Sequence, residues 1–156
     1  MASFYCTAMS SNDAARLRRA TSDDFGYAIQ RFDLDRTYPC RHCLREASAK
    51  TGMLLFSYQA PKPKSVYGHP TAIFMCAGDC ARFEQPDAIP DIVRNRLVSF
   101  RAFRSDGMMI YDANAIVEGD GHEAAVRRIF VGRDDVAYIN AHTARPGCLL
   151  CHIERA

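Results

Sequence analysis

The amino-acid sequence predicts an α+β fold with a mainly antiparallel sheet and a few short helices. Apolar runs of strand length recur along the chain, and short segments with a helical pattern separate some of them. Turn signals at Asp106-Gly107 and Pro146-Gly147 favour hairpins. Most connections are too short for the crossovers that parallel strands require. The 156 residues are expected to form a single α+β domain, 1–156.

The N-terminal part is expected to contain three strands and one helix. A short strand is predicted over 3–9, and a helix over 14–20 follows a polar cap signal. Residues 53–58 and 71–76 are apolar runs of strand length, so both are predicted strands. The lysine- and proline-rich stretch 60–65 between them is predicted to be a loop.

The C-terminal part is expected to add two helices and four strands. Pro90 suits the first turn of a helix that ends near Leu97. A second helix follows Gly121, and Gly132 closes it. Its inner face is predicted to consist of Ala124, Ala125, Ile129 and Phe130. The predicted strands cover 98–103, 108–111, 136–141 and 148–154.

Composition and charge narrow the class of protein. The chain is 48% hydrophobic and 24% charged, which is ordinary for a globular protein and excludes a disordered or collagen-like chain. No apolar run approaches the roughly 18 residues of a membrane helix. The net charge of +2, without a clustered basic patch, argues against a nucleic-acid partner. The first residues lack the pattern of a secretory signal, so a cytoplasmic location is expected.

The seven cysteines are the most informative residues. An odd number argues against a fully paired disulfide framework, and a reducing compartment favours metal ligands, redox pairs or core thiols. Cys40 and Cys43 form one C-x2-C pair, and Cys148 and Cys151 form another. Two such pairs can supply the four thiolates of a structural zinc site, and a long gap between them costs little loop entropy. We therefore predict a structural zinc ion held by these four residues.

Other functions of the cysteines stay open at this stage. Cys76 and Cys80, spaced C-x3-C, could complete a metal site with either other pair, form a disulfide across a turn, or remain unbonded. The second C-x2-C pair precedes His152, which matches the c-type haem attachment pattern. The first pair precedes a segment at Leu44 that could start a helix, as in a thioredoxin-like redox site.

A second candidate site consists of polar residues at the ends of predicted strands. His142 follows an apolar strand, and Arg145 lies three residues later at a Pro-Gly turn. Arg101 and Asp106 lie at the ends of other predicted strands and could converge there. Histidine can act as a base, and arginine can bind a carboxylate or phosphate, so an enzyme acting on a small anionic substrate is one hypothesis. Alternatively, Arg101 and Asp106 pair with each other, and His142 and Arg145 bond backbone carbonyls.

Five stretches resemble a known family. They are YPCRHCL (38–44), SFRAF (99–103), DGMM (106–109), VAYI (136–139) and HTARPGC (142–148). In this order they are similar to a family of bacterial proteins known as domain of unknown function 1203. The chain length also fits that family. The resemblance implies no established activity, so it supports the extent of the fold more than any function.

The sequence thus leaves three hypotheses of different classes. The leading one is a cytoplasmic α+β protein that binds a small anionic ligand or a protein partner, with zinc serving the fold. The second is an enzyme that uses the His142 and Arg145 region. The third is a thiol redox protein, because three close cysteine pairs occur in a short chain.

Overall fold

The structure, a computed structural model that describes residues 3–33, 35–47 and 52–156, confirms the α+β class. Within these residues there are three α-helices, which are α1 (Ser11–Arg19), α2 (Asp91–Arg94) and α3 (His122–Val131). The strands are β1 (Phe4–Thr7), β2 (Gln30–Phe32), β3 (Met53–Tyr58), β4 (Thr71–Cys76), β5 (Val98–Phe103), β6 (Ala115–Val117), β7 (Tyr138–Thr143) and β8 (Leu149–Arg155). No described helix has both the length and the apolarity needed to cross a membrane.

The strands form two antiparallel sheets. The larger sheet has five strands in the order β1-β8-β7-β5-β6, and the smaller has three in the order β2-β3-β4. The predicted bounds of β3, β4 and β5 match those observed. These runs are apolar and bounded by turn residues, which is the pattern that fixes a strand most clearly.

Each sheet has its own hydrophobic core. On one face of the five-stranded sheet, Phe100 of β5 and Ile139 of β7 are fully buried together with Phe130 of α3. In the second core, Leu17 of α1 packs with Ile73 of β4. Removing such side chains from water is the main favourable contribution to folding.

The other face of the five-stranded sheet is polar. Arg101 of β5 pairs in register with Asn140 of β7, which pairs in turn with His152 of β8. Since side chains alternate between the two faces of a strand, this row lies opposite the apolar core. Residues 59–70, which we call the covering loop, connect β3 to β4 and contribute lining residues above this face. The covering loop contains the predicted lysine- and proline-rich stretch.

The strand predicted over 108–111 is wrong. Met109 forms only an isolated bridge with Phe103, and Tyr111–Ala113 is a 3-10 turn that precedes β6. The Oδ1 atom of Asn114 accepts the backbone N–H of Ala102 at 2.8 Å. In a longer strand, a backbone carbonyl would accept this N–H, but here a side chain accepts it instead. Sequence periodicity cannot reveal such a substitution.

The three helices also differ in detail from the prediction. α1 begins at Ser11, earlier than predicted, because the hydroxyl of Ser10 accepts the backbone N–H of Asp13 and caps the helix. On α3, Ala124 is exposed and Val126 is buried in its place. The helix α2 ends at Arg94, short of the predicted Leu97.

Candidate metal centre and polar cavity

Four cysteine side chains from two parts of the chain converge in the second core. The sulfur atoms of Cys40, Cys43, Cys76 and Cys80 all lie within 4.8 Å of one another. The Sγ atoms of Cys40 and Cys80 are 3.9 Å apart. Thiolates bound about 2.3 Å from a tetrahedral zinc ion would stand about 3.8 Å apart. The Cys40–Cys80 separation is therefore close to the one that a tetrahedral metal ion requires.

The first two sulfurs are brought together by a tight turn. The backbone N–H of Leu44 donates to the carbonyl of Cys40 at 3.0 Å, which closes the turn around Cys43. Leu44 has a φ of 53°, and its side chain is fully buried. A left-handed conformation is unfavourable for leucine, so its burial must hold it in place. The turn is anchored to β4, because the N–H of Arg41 donates to the carbonyl of Phe74 at 3.1 Å.

The other two sulfurs come from the end of the β3–β4 hairpin. Cys76 is the last residue of β4, and Cys80 follows it in the next turn. The backbone N–H of Cys76 donates to the Sγ atom of Cys40 at 3.3 Å. The hairpin thus positions Cys76 and Cys80 beside the turn that contains Cys40 and Cys43.

Basic side chains surround the cluster. Arg18 of α1 donates to the Sγ atom of Cys80 at 3.2 Å, and the Nδ1 atom of His42 is also 3.2 Å from this sulfur. Arg41 is buried and donates to the carbonyl of Leu149 at 2.7 Å. Burial lowers the pKa of Arg41 to about 10, which leaves it cationic at neutral pH. Four thiolates around one divalent ion would carry a net charge of about −2, which Arg18 and Arg41 would offset.

The sulfurs also perturb one another. Contact with Cys43 lowers the pKa of Cys40 far below its ordinary value, whereas contact with Cys40 raises the pKa values of Cys76 and Cys80 far above it. The cause is that one thiolate is stabilised by neighbouring thiols and opposes their ionisation. A bound divalent cation would remove this conflict, because all four sulfurs could then be thiolates.

The structure does not bring Cys148 and Cys151 to this cluster. Cys151 lies on β8 and packs in the first core, where it contacts Cys6. Cys148 is half-buried at the turn before β8. Cys76 and Cys80 therefore replace Cys148 and Cys151 in the candidate ligand set. The reason lies in the pairing of strands: β8 is inserted between β1 and β7, whereas the β3–β4 hairpin ends beside Cys40.

The other cysteine chemistries find no support in the geometry. All seven cysteines are free thiols, so the turn between Cys76 and Cys80 contains no disulfide. No helix starts at Leu44, where an isolated bridge between Pro39 and Glu46 follows the turn instead. A thioredoxin-like arrangement requires that helix. His152 lies on the polar face beside Asn140, so it is separated by the sheet from the core-facing Cys151 of the haem pattern.

A cavity of about 170 Å³ lies between the polar face and the covering loop. It brings together two of the four predicted site residues, Arg101 and His142. The other two lie outside its lining. Arg145 is exposed at the turn between β7 and β8, and Asp106 pairs with Arg104 at 3.2 Å. The predicted alternative of an Arg101–Asp106 pair is therefore wrong.

Sequence reasoning missed most of the cavity. Its remaining polar lining includes Lys62, Tyr67 and His69 from the covering loop and Tyr138, Asn140 and His152 from the sheet. The alternation of β7 was the available signal, since Tyr138, Asn140 and His142 are spaced by two. The loop residues gave no signal, because nothing in a sequence states which face a long loop will cover.

Among the comparisons with known proteins, only a family model matches the chain. The model of the family described as "Protein of unknown function (DUF1203)" matches residues 37–155. That range includes all four clustered cysteines and all of the sheet residues that line the cavity. Neither the curated proteins nor the solved structures gave a match to the chain.

Proposed function

The chain belongs to the DUF1203 family, and we propose that it is a zinc-binding protein in which four cysteines hold a structural ion. The proposed ligands are Cys40, Cys43, Cys76 and Cys80. The observation that carries the proposal is their convergence within 4.8 Å, from a turn and a hairpin that are far apart in sequence. The sulfurs of Cys40 and Cys80, one from each segment, have a separation close to the one that a tetrahedral zinc ion imposes.

The chemistry of the donor set favours zinc and a structural role. Soft thiolates in a tetrahedral S4 arrangement select zinc or iron among the common metals. A four-thiolate zinc site is closed and keeps no open position for water or substrate. The ion would therefore stabilise the fold and would not take part in hydrolysis.

The position of the site indicates what the ion would hold together. It would join the C-x2-C turn to the end of β4, and Arg18 would tie α1 to the same point. The beginning of β4 lies at the other end of this strand, where Thr71 lines the polar cavity. An ion at Cys76 would thus fix the hairpin from which the covering loop extends. In this account the metal supports a ligand-binding cavity without touching the ligand.

Metal analysis of the purified protein tests the proposal. The protein should be purified without chelators or metal-affinity resin and examined by elemental mass spectrometry. We expect about one zinc per chain, since structural sites of this type bind very tightly. A folded protein that contains no metal would contradict the proposal. Stoichiometric iron would contradict the assignment of zinc.

A further inference from the structure

The polar cavity is a second site, separate from the cysteine cluster. We infer that it binds a small oxyanion that also carries a hydroxyl hydrogen, with the anionic group on Arg101 and the hydroxyl donating to a histidine nitrogen. Arg101 of β5 and the two histidines of β7 and β8 line the same cavity of about 170 Å³. This volume suits a small metabolite of few atoms.

The hydrogen bonds of His142 fix which ring nitrogen can accept. Its Nδ1 atom lies 2.8 Å from the carbonyl oxygen of Gly147. A carbonyl can only accept, so Nδ1 must carry the hydrogen. Burial lowers the pKa of His142 to about 4, so the ring is neutral at pH 7. Its second nitrogen, Nε2, therefore presents a lone pair and can only accept a hydrogen bond.

His152 repeats this arrangement more deeply in the sheet. Its Nδ1 atom is bonded to the Oδ1 atom of Asn140, and burial lowers its pKa to about 3. The residue is only 6% exposed, and its Nε2 atom is buried without a hydrogen-bond partner among the described residues. Buried polar atoms in folded proteins nearly always have a partner. A ligand hydroxyl in the cavity would supply a donor to this nitrogen.

The charged groups of the cavity lining favour an anion. Among the described residues that line the cavity there is no aspartate or glutamate, whereas Arg101 and Lys62 are both basic. The ammonium group of Lys62 is already paired with the carboxylate of Glu154. The guanidinium group of Arg101 makes no ion pair or hydrogen bond with any residue that the structure describes. The cavity thus contains one uncompensated guanidinium, a group that binds carboxylates and phosphates through paired hydrogen bonds.

The histidine acceptors and the unpaired guanidinium together define the ligand class. An anion without a hydroxyl group would pair with Arg101, but its oxygens can only accept hydrogen bonds. These oxygens would then face the Nε2 lone pairs of His142 and His152, which also can only accept. A neutral alcohol would satisfy a histidine but would leave Arg101 unpaired. A hydroxy-carboxylate meets both requirements, and so does monobasic phosphate through its P–OH group. These two sources share the same chemistry and can be separated by direct binding measurements.

Calorimetric titration with matched anions tests this inference. Glycolate should bind more tightly than acetate by about tenfold or more, because acetate lacks the hydroxyl that reaches a buried acceptor. At a pH slightly below neutral, inorganic phosphate should bind more tightly than sulfate for the same reason. Whichever of glycolate and phosphate binds more tightly identifies the source. Failure of both to bind at millimolar concentrations, or equal binding within each matched pair, would overturn the inference.

Two arginine variants and one spectroscopic readout complete the test. Arg101→Met should abolish binding of the anions, whereas Arg104→Met should leave it unchanged, since Arg104 lies outside the cavity. In nitrogen-15 spectra of the wild type, glycolate or phosphate should shift the Nε2 resonance of His152. Zinc content should be the same in both variants, so the outcome is independent of the metal proposal. Equal loss of binding in both variants, or an unmoved histidine resonance on binding, would contradict the site.

Discussion

Replacing Cys43 or Cys80 with serine is expected to abolish stoichiometric zinc binding, whereas replacing Cys148 with serine should leave one zinc per chain. All three side chains are half-buried, so the loss of packing is similar. Cys43 and Cys148 are also each one member of a C-x2-C pair. Only Cys43 and Cys80 have sulfurs in the four-atom cluster. The comparison thus separates a metal ligand from another half-buried thiol.

The same variants should differ in stability. Loss of a structural metal ligand is among the few single changes that destabilise a protein by more than about 4 kcal/mol. We therefore expect Cys43→Ser and Cys80→Ser to unfold at much lower temperature, with Cys148→Ser close to the wild type. Elemental analysis and thermal unfolding on one set of preparations measure both properties. Retention of zinc in Cys80→Ser together with its loss in Cys148→Ser would restore the ligand set predicted from the sequence.

Removal of the ion should destabilise one half of the fold more than the other. Structural zinc ions contribute about 10 kcal/mol or more of apparent binding free energy in small domains, and this free energy stabilises the folded state. We expect chelation to lower the free energy of unfolding by at least about 5 kcal/mol. The four clustered cysteines lie in the second core or pack against it, whereas the first core contains none of them.

Hydrogen exchange can locate this loss. After chelation, amides of α1, β3 and β4 should lose protection before those of β5 and β7, since local stability follows local contacts. Zinc, added back in stoichiometric amount, should restore the protection, whereas magnesium should not, because it prefers oxygen ligands. An unchanged exchange pattern and an unchanged melting temperature after complete removal of zinc would contradict the structural role.

Much of the fold was accessible from the sequence. The strands β3, β4 and β5 were predicted with their observed bounds, since apolar runs between turn residues determine them locally. The predicted strand at 108–111 failed because Asn114 supplies a side-chain acceptor to Ala102. Local periodicity contains no information about such a non-local bond.

The metal site was accessible in part. The C-x2-C spacing identified Cys40 and Cys43, because a short turn can bring both sulfurs to one ion. The choice of the second pair depends on which strands are neighbours, and this is a property of topology. The spacing of Cys76 and Cys80 showed that they could complete a site. Spacing alone could not distinguish this pair from Cys148 and Cys151. The antiparallel pairing of β3 and β4 and the turn contact at Cys40 decide between them.

The polar cavity shows a similar limit. The sequence identified Arg101 and His142 because each is a polar residue in or after an apolar strand. Asp106 and Arg145 share that property, yet local pairing with Arg104 and exposure at a turn keep them outside the cavity. His152 was considered only as part of a haem pattern, since the register that places it beside Asn140 is non-local.

The proposed site consists of one zinc ion bound by four cysteine sulfurs. X-ray absorption at the zinc edge, on protein purified as described above, measures the donor atoms directly. We expect a single shell of four sulfurs at about 2.3 Å, with no nitrogen or oxygen donor. The same spectrum should be unchanged in Cys148→Ser. A shell with imidazole nitrogen from His42, or one with water oxygen, would contradict the closed four-thiolate site.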